Sequence, residues 1–286
     1  MSFSQDIKKE LMGEIPKPRH CIIAELAALT FTLGKWGEKG FYIESENEEL
    51  KRKFFTLLNK TITISEYDDV LSKEAVEELF EVLKVKDNTF EMNGLLIQQP
   101  CCKKAFIRGI FLTSGSVSDP WKGYHFETAL SNESLAKSVR EVICSFGIDA
   151  KMVERKQQTV VYVKESNQIE DLLALMGANV AYLKFENVRI EKEMRNSINR
   201  QVNCETANIT KTVSAAVRQI EDIRLIEETR GLSSLPKNLQ EIAVLRKEHP
   251  DMALKDLGNL MDPPVGKSGV NHRLRRIGEI AKSIRN

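Results

Sequence analysis

The spacing of apolar residues separates two kinds of helix in this chain. Toward the amino terminus, Leu26 to Gly34 (L-A-A-L-T-F-T-L-G) is a run of apolar and small residues closed by a glycine, and Ile107 to Gly115 (I-R-G-I-F-L-T-S-G) repeats that form about eighty residues later. Helices with so little polar face belong inside a core. Toward the carboxyl terminus, Val270, Leu274, Ile277, Ala281 and Ile284 fall at spacings of four, three, four and three. Such a stripe buries one face and leaves the other to solvent.

More than the two helices recurs. Lys39-Gly40-Phe41-Tyr42-Ile43-Glu44 is echoed by Lys122-Gly123-Tyr124-His125-Phe126-Glu127, and Asn47-Glu48-Glu49-Leu50 by Asn132-Glu133-Ser134-Leu135. The offset grows from 81 at the glycines to 83 at the strands and 85 at the next helix, so the second copy is expected to gain two residues in each loop, where growth is tolerated. Each copy reads as an apolar helix, a glycine, a short aromatic strand and a capped helix, the cap being Ser45 or Asn47 in the first and Ser131 or Asn132 in the second. This is an α+β unit built twice. Ala24, Ala27 and Ala28 in one helix and Gly109, Thr113 and Gly115 in the other would let the two backbones pack closely.

These segments resemble the paired motifs of the LAGLIDADG homing-endonuclease fold, in which two motif helices form an interface beneath a DNA-binding saddle. The resemblance implies an acid at the penultimate position of each motif, holding the metal ions of phosphodiester hydrolysis. Leu33 and Ser114 stand there instead. Hard divalent cations need carboxylate oxygens, and two-metal hydrolysis needs them close together. The nearest acids are Glu25, at the far end of its helix, and Asp119, beyond the glycine. Cleavage is therefore expected to be lost; the alternative is a Mg²⁺-dependent endonuclease using these displaced carboxylates, and a third reading is an architectural or protein-docking module.

The tail has a different character. From Leu235 to His249 a helix is predicted with Pro236 in its first turn and Leu239, Ile242 and Ala243 on one face, stopping at Pro250. Asp251 is expected to cap a short second helix with Leu254, Leu257 and Leu260 inside, ended by Pro263-Pro264. The third begins at Lys267, completing an all-α helix-turn-helix unit. Opposite its apolar stripe lie Ser268, Asn271, His272, Arg275 and Arg276. Between residues 263 and 286 six basic side chains, Arg273 among them, face one acid in a chain whose net charge is only +1. Phosphates are the matching partner. Recognition helices read bases with their amino-terminal residues, which nominates Lys267, Ser268, Asn271, His272, Arg273, Arg275 and Arg276, with Lys255 on the helix before.

The run Asp262-Pro263-Pro264-Val265-Gly266-Lys267-Ser268-Gly269-Val270-Asn271-His272-Arg273-Leu274-Arg275-Arg276-Ile277, together with Cys101 to Gly109 and the Asn203-Cys204, Ala207-Asn208 and Lys211 region, is similar to the WhiA family of bacteria. That resemblance covers nearly the whole chain and implies a degenerate LAGLIDADG-like domain joined to a helix-turn-helix domain. It implies a transcriptional regulator tied to sporulation, cell division and chromosome segregation, binding double-stranded DNA at promoter regions, with RNA polymerase or a sigma factor as candidate partners. The expected division is 1–203 for the LAGLIDADG-like domain, with repeats at about 20–100 and 101–187, then 204–232 for a linker helix and 233–286 for the helix-turn-helix domain.

That linker helix is predicted from about 208 to 230, with a stripe of Ile209, Val213, Ala216, Ile220, Ile223 and Ile226 and a stop at Gly231. A hairpin is predicted from Ala150 to Lys164, with alternating buried and wet faces. Its Lys151, Arg155 and Lys156 are candidate secondary DNA contacts, whereas residues 44–91 carry thirteen acids against seven bases and suit phosphate poorly. No apolar run reaches the roughly 20 residues of a membrane span, and no signal-peptide pattern opens the chain; a cytoplasmic, nucleoid-associated protein is expected, with no cofactor. Cys21, Cys101, Cys102, Cys144 and Cys204 follow no zinc-finger spacing and His20, His125, His249 and His272 are scattered through the sequence, so reduced, mostly packed thiols and no metal site are expected.

Overall fold

The structure, a computed structural model, describes residues 2–62, 70–85 and 92–285. They form two compact units, Met1–Glu193 and Met194–Asn286. The first opens with helix α1 (Phe3–Met12), started by a reciprocal cap between Ser2 and Gln5. It continues as α2 (Arg19–Leu33), β1 (Gly34–Gly37), β2 (Gly40–Ile43), α3 (Glu48–Asn59) and α4 (Lys73–Val82). The second copy follows as α5 (Pro100–Ser114), β3 (Gly115–Val117), β4 (Phe126–Leu130), α6 (Glu133–Cys144), β5 (Lys151–Arg155), β6 (Gln158–Val163) and α7 (Ser166–Met176).

Helices α2 and α5 pack against each other at the centre, as expected of two segments with so little polar face. They come close at Gly109, where a Cβ would sit 2.6 Å from the Ala28 Cβ and 2.9 Å from the Glu25 carbonyl oxygen. Gly115, expected at that interface, instead packs beneath its own Phe111. Asn47 and Asn132, rather than the neighbouring serines, cap α3 and α6 by accepting backbone N–H groups.

Strand pairing corrects the register of the duplication. Gly34 pairs with Ile43 and Gly115 with Thr128, so Phe41 corresponds to Phe126 rather than to Tyr124. The offset is already 85 at the second strand and is still 85 at the capping asparagines. All the extra length lies in the β3–β4 connection, where Asp119 holds a turn by accepting the Trp121 N–H at 2.9 Å. The second copy forms an antiparallel sheet in the order β3-β4-β6-β5. The first shows β1 paired with β2 and a bridge from Tyr42 to Val70 among the described residues. The hairpin of β5 and β6 forms where predicted, but Thr159, Val160 and Val161 are buried in succession. Both faces of β6 are covered there, so the simple alternation fails.

Helix α8 (Asn179–Arg230) is 52 residues long, so the predicted helix from about 208 is its last part. In the second unit it buries Ala216, Ile223 and Ile226, while Ile209 and Val213 of the expected stripe are exposed. The unit is completed by α9 (Lys237–Glu248), α10 (Leu254–Asn259) and α11 (Lys267–Arg285). Its core joins Ile223 and Ile226 to Leu239, Ile242, Leu257, Met261, Val270, Leu274 and Ile277. Three local expectations change. Pro236 is the residue before α9 rather than in it, Ala253 rather than Asp251 precedes α10, and Leu260 is half exposed while Met261 takes the core position. Buried Arg246 ties the unit together, donating to Gln219 Oε1 at 2.9 Å and to the Met252 carbonyl at 2.7 Å.

Candidate nucleic-acid interface

The turn between α10 and α11 is fixed by the Val265 N–H, which donates to the Gly258 carbonyl at 2.9 Å. From that turn α11 lays Val270, Leu274, Ile277 and Ala281 into the core. The same rotation puts Lys267, Ser268, Asn271, His272, Arg275 and Arg276 in solvent, and Lys255 is exposed on α10. Arg275 meets the exposed Glu279, 3.7 Å away and one turn on, a pair of small net worth. Arg273 departs from the group: it is half-buried, with its guanidinium 3.6 Å from Met261 Sδ.

Asn271, Arg275 and Lys282 also line one wall of a shallow groove whose other wall is Ala215, Arg218, Gln219 and Asp222 of α8. Asp222 is engaged by Arg285 at 2.9 Å. Arg218 was not among the residues nominated from sequence, because it lies on a segment read as a spacer. The signal was present in the apolar positions Ile223 and Ile226, which place that part of α8 against the tail.

On the hairpin, Lys151 stands 3.5 Å from Asp149 and Arg155 3.4 Å from Glu127, while Lys156 occupies the tip with φ 55°. Acidic neighbours thus offset two of its three cations. The hairpin is a poorer phosphate surface than α11.

At the carboxyl ends of the motif helices, Leu33 is buried and the Ser114 hydroxyl donates to the Ile110 carbonyl at 3.0 Å. Neither end presents a carboxylate from the motif. Glu25 is fully buried, its Oε2 accepting from Arg108 at 2.6 and 3.0 Å and its Oε1 lying 3.0 Å from Lys53 Nζ. Burial holds the Lys53 ammonium below its ordinary pKa, with Glu25 acting in the opposite direction. A carboxylate already answered by two cations is a link between the repeats, not a metal ligand.

The packing gathers residues that lie far apart in the sequence: the donor atoms of His20, Cys21, Cys101 and Cys102 all lie within 4.8 Å of one another at the amino ends of α2 and α5. Burial pushes the Cys21 thiol up to about 12, with Cys101 and Cys102 adding to the rise, and burial also raises Cys102.

A duplicated helix-and-sheet unit without its motif acids, followed by a helix that exposes a basic face, defines a LAGLIDADG-like domain joined to a helix-turn-helix DNA-binding domain. Residues 103–195 match the WhiA LAGLIDADG-like domain and residues 198–281 the WhiA C-terminal HTH domain. A protein of Lachnoclostridium phytofermentans named probable cell division protein WhiA is 45% identical, with 100% of each chain covered. A Lachnospira eligens protein of the same name is 43% identical over 100% of this chain and 98% of its own. The crystal structure of full-length WhiA from Thermatoga maritima shares the fold, with a TM-score of 0.59, 24% identity and 99% of each chain covered. The chain belongs to the WhiA family. Among its described residues no helix is long and apolar enough to cross a membrane.

Proposed function

We propose that the chain is a sequence-specific DNA-binding transcriptional regulator acting in cell division, chromosome segregation or sporulation, and that it is not an enzyme. The observation that carries this reading is the outward face of α11, where Lys267, Ser268, Asn271, His272, Arg275 and Arg276 stand exposed on a helix whose other face is locked into the core. Asn and Arg offer two-pronged contacts to adenine and guanine edges in the major groove, and the remaining cations, Lys255 and Arg273 included, suit phosphates. Lys151, Arg155 and Lys156 are secondary contacts in this reading. Residues 233–286 form the reader, 204–232 the linker helix and 1–203 the LAGLIDADG-like domain.

Loss of cleavage follows from Leu33 and Ser114 at the helix ends and from the burial of Glu25 between Arg108 and Lys53. Asp119 sits in the lengthened β3–β4 connection. The partner is double-stranded promoter DNA in the cytoplasm, at the nucleoid, with RNA polymerase or a sigma factor recruited there. Names given to the relatives, probable cell division proteins, agree with that setting.

The test is capture of chromosomal fragments by the full chain and by a chain ending before residue 233. Site-selective capture is expected to vanish with the tail. Retention of the same sites without it would move recognition to the first unit. A supercoiled plasmid incubated with Mg²⁺ is expected to stay intact.

A further inference from the structure

Each motif helix begins with a pair of metal-ligand residues, His20 and Cys21 on α2 and Cys101 and Cys102 on α5. In the frame of the duplication His20 corresponds to Cys101 and Cys21 to Cys102, at the 81-residue spacing that also separates Gly34 from Gly115. The helix pair brings counterparts together along its length. Ala28 meets Gly109, and Cys21, Ala24, Cys102 and Ala105 form a small buried cluster of their own. At the amino ends the duplicated pairs therefore converge into one donor set.

The distances suit a tetrahedral ion. His20 Nδ1 lies 3.1 Å from Cys102 Sγ, 3.3 Å from Cys21 Sγ and 3.9 Å from Cys101 Sγ. Around zinc, ligand bonds of about 2.3 Å to sulfur and about 2.0 Å to nitrogen put nitrogen and sulfur about 3.5 Å apart and two sulfurs about 3.8 Å apart. All four donors already fall within 4.8 Å. We propose that His20 Nδ1 and the thiolates of Cys21, Cys101 and Cys102 form a structural zinc site that clamps the amino ends of α2 and α5.

Three soft thiolates and an imidazole select zinc over the hard cations Mg²⁺ and Ca²⁺. Four protein donors leave no open coordination position, so the ion holds structure and performs no hydrolysis. Binding transfers up to three thiol protons to solvent, takes the neutral imidazole lone pair and changes no oxidation state. The positive ends of both helix dipoles favour the thiolates. With a rise of 1.5 Å per residue the site lies about 20 Å from Leu33 and Ser114, at the opposite end of the interface from the positions of the lost acids.

The full chain, purified under reductant, would be measured for metal content by mass spectrometry, titrated with Zn²⁺ against a chromophoric chelator, and loaded with Co²⁺ for its visible spectrum. One zinc per chain is expected, with the cobalt form showing thiolate charge transfer and the bands of tetrahedral coordination. Cys101→Ser and His20→Ala alter exposed side chains that the core does not need; each is expected to lower zinc affinity by at least roughly tenfold. In both variants a chelator should shift the melting temperature less than it does for the wild type. Cys204→Ser, on the exposed part of α8, is the control and should behave as wild type. Reduced wild-type protein that takes up no zinc at micromolar concentration, even if its cysteines form a disulfide in air, would overturn the site. So would affinity unchanged in both His20→Ala and Cys101→Ser, or equal loss in Cys204→Ser.

Discussion

Two sets of charges in this molecule are treated in opposite ways. Between the repeats, Glu25, Arg108 and Lys53 are drawn out of solvent and spent on one another, with Lys53 also donating to the Leu11 carbonyl at 2.8 Å. On α11, Lys267, Arg275 and Arg276 stand in water, with Glu279 beside Arg275. Charges satisfied internally specify how two helices meet; charges left in solvent remain available to another molecule. The second unit can therefore bind phosphate without altering its own packing, whereas the first cannot release Glu25 without breaking its centre.

The contrast is broken most severely by Glu25→Ala. It strands Lys53 and Arg108 in a buried place, and a loss of about 3–5 kcal/mol is expected, read as an early shift of the first unit's transition in urea by hydrogen exchange. A loss near zero would mean that water reaches the triad. Next, Arg275→Ala and Asn271→Ala should each weaken binding to a cognate promoter by about 1–3 kcal/mol, read by fluorescence anisotropy. The stability of both should stay within about 0.5 kcal/mol of wild type, and unchanged affinity in both would remove α11 from the reader's role. Gly109→Leu pushes a side chain against Ala28 and the Glu25 backbone, and a destabilisation of about 1–3 kcal/mol should follow with promoter affinity untouched. Smallest is Arg276→Ala, read as a phosphate contact: binding should weaken alike on all sequences, and the log-log salt slope should fall by about 1.

Much of this was legible because periodicity reports burial directly. The stripe from Val270 to Ala281 and the buried course of α2 and α5 follow from side-chain spacing alone. Register was harder. An aromatic echo matched Gly40 with Gly123, yet hydrogen bonding aligns Phe41 with Phe126, since pairing geometry and not letter similarity sets where the longer connection lies. The serine or asparagine ambiguity at the caps was settled by which side chain reaches the first free N–H groups. The burial of Glu25 was not visible, because its partners Lys53 and Arg108 lie 28 and 83 residues away. The histidine–cysteine cluster was hidden by the same distance, although the glycine offset applied to Cys21 and Cys102 already points to it.

The central helix pair also has a kinetic consequence. Bringing α2 against α5 joins segments 81 residues apart, a loop closure whose length-dependent term alone is about 4 kcal/mol. Helices α9, α10 and α11 meet their neighbours across short connections, so the tail should collapse early while the repeats search for each other. A chain leaving the ribosome would hold its first repeat exposed until the second is made, and the folding of the amino-terminal unit is timed by synthesis of α5.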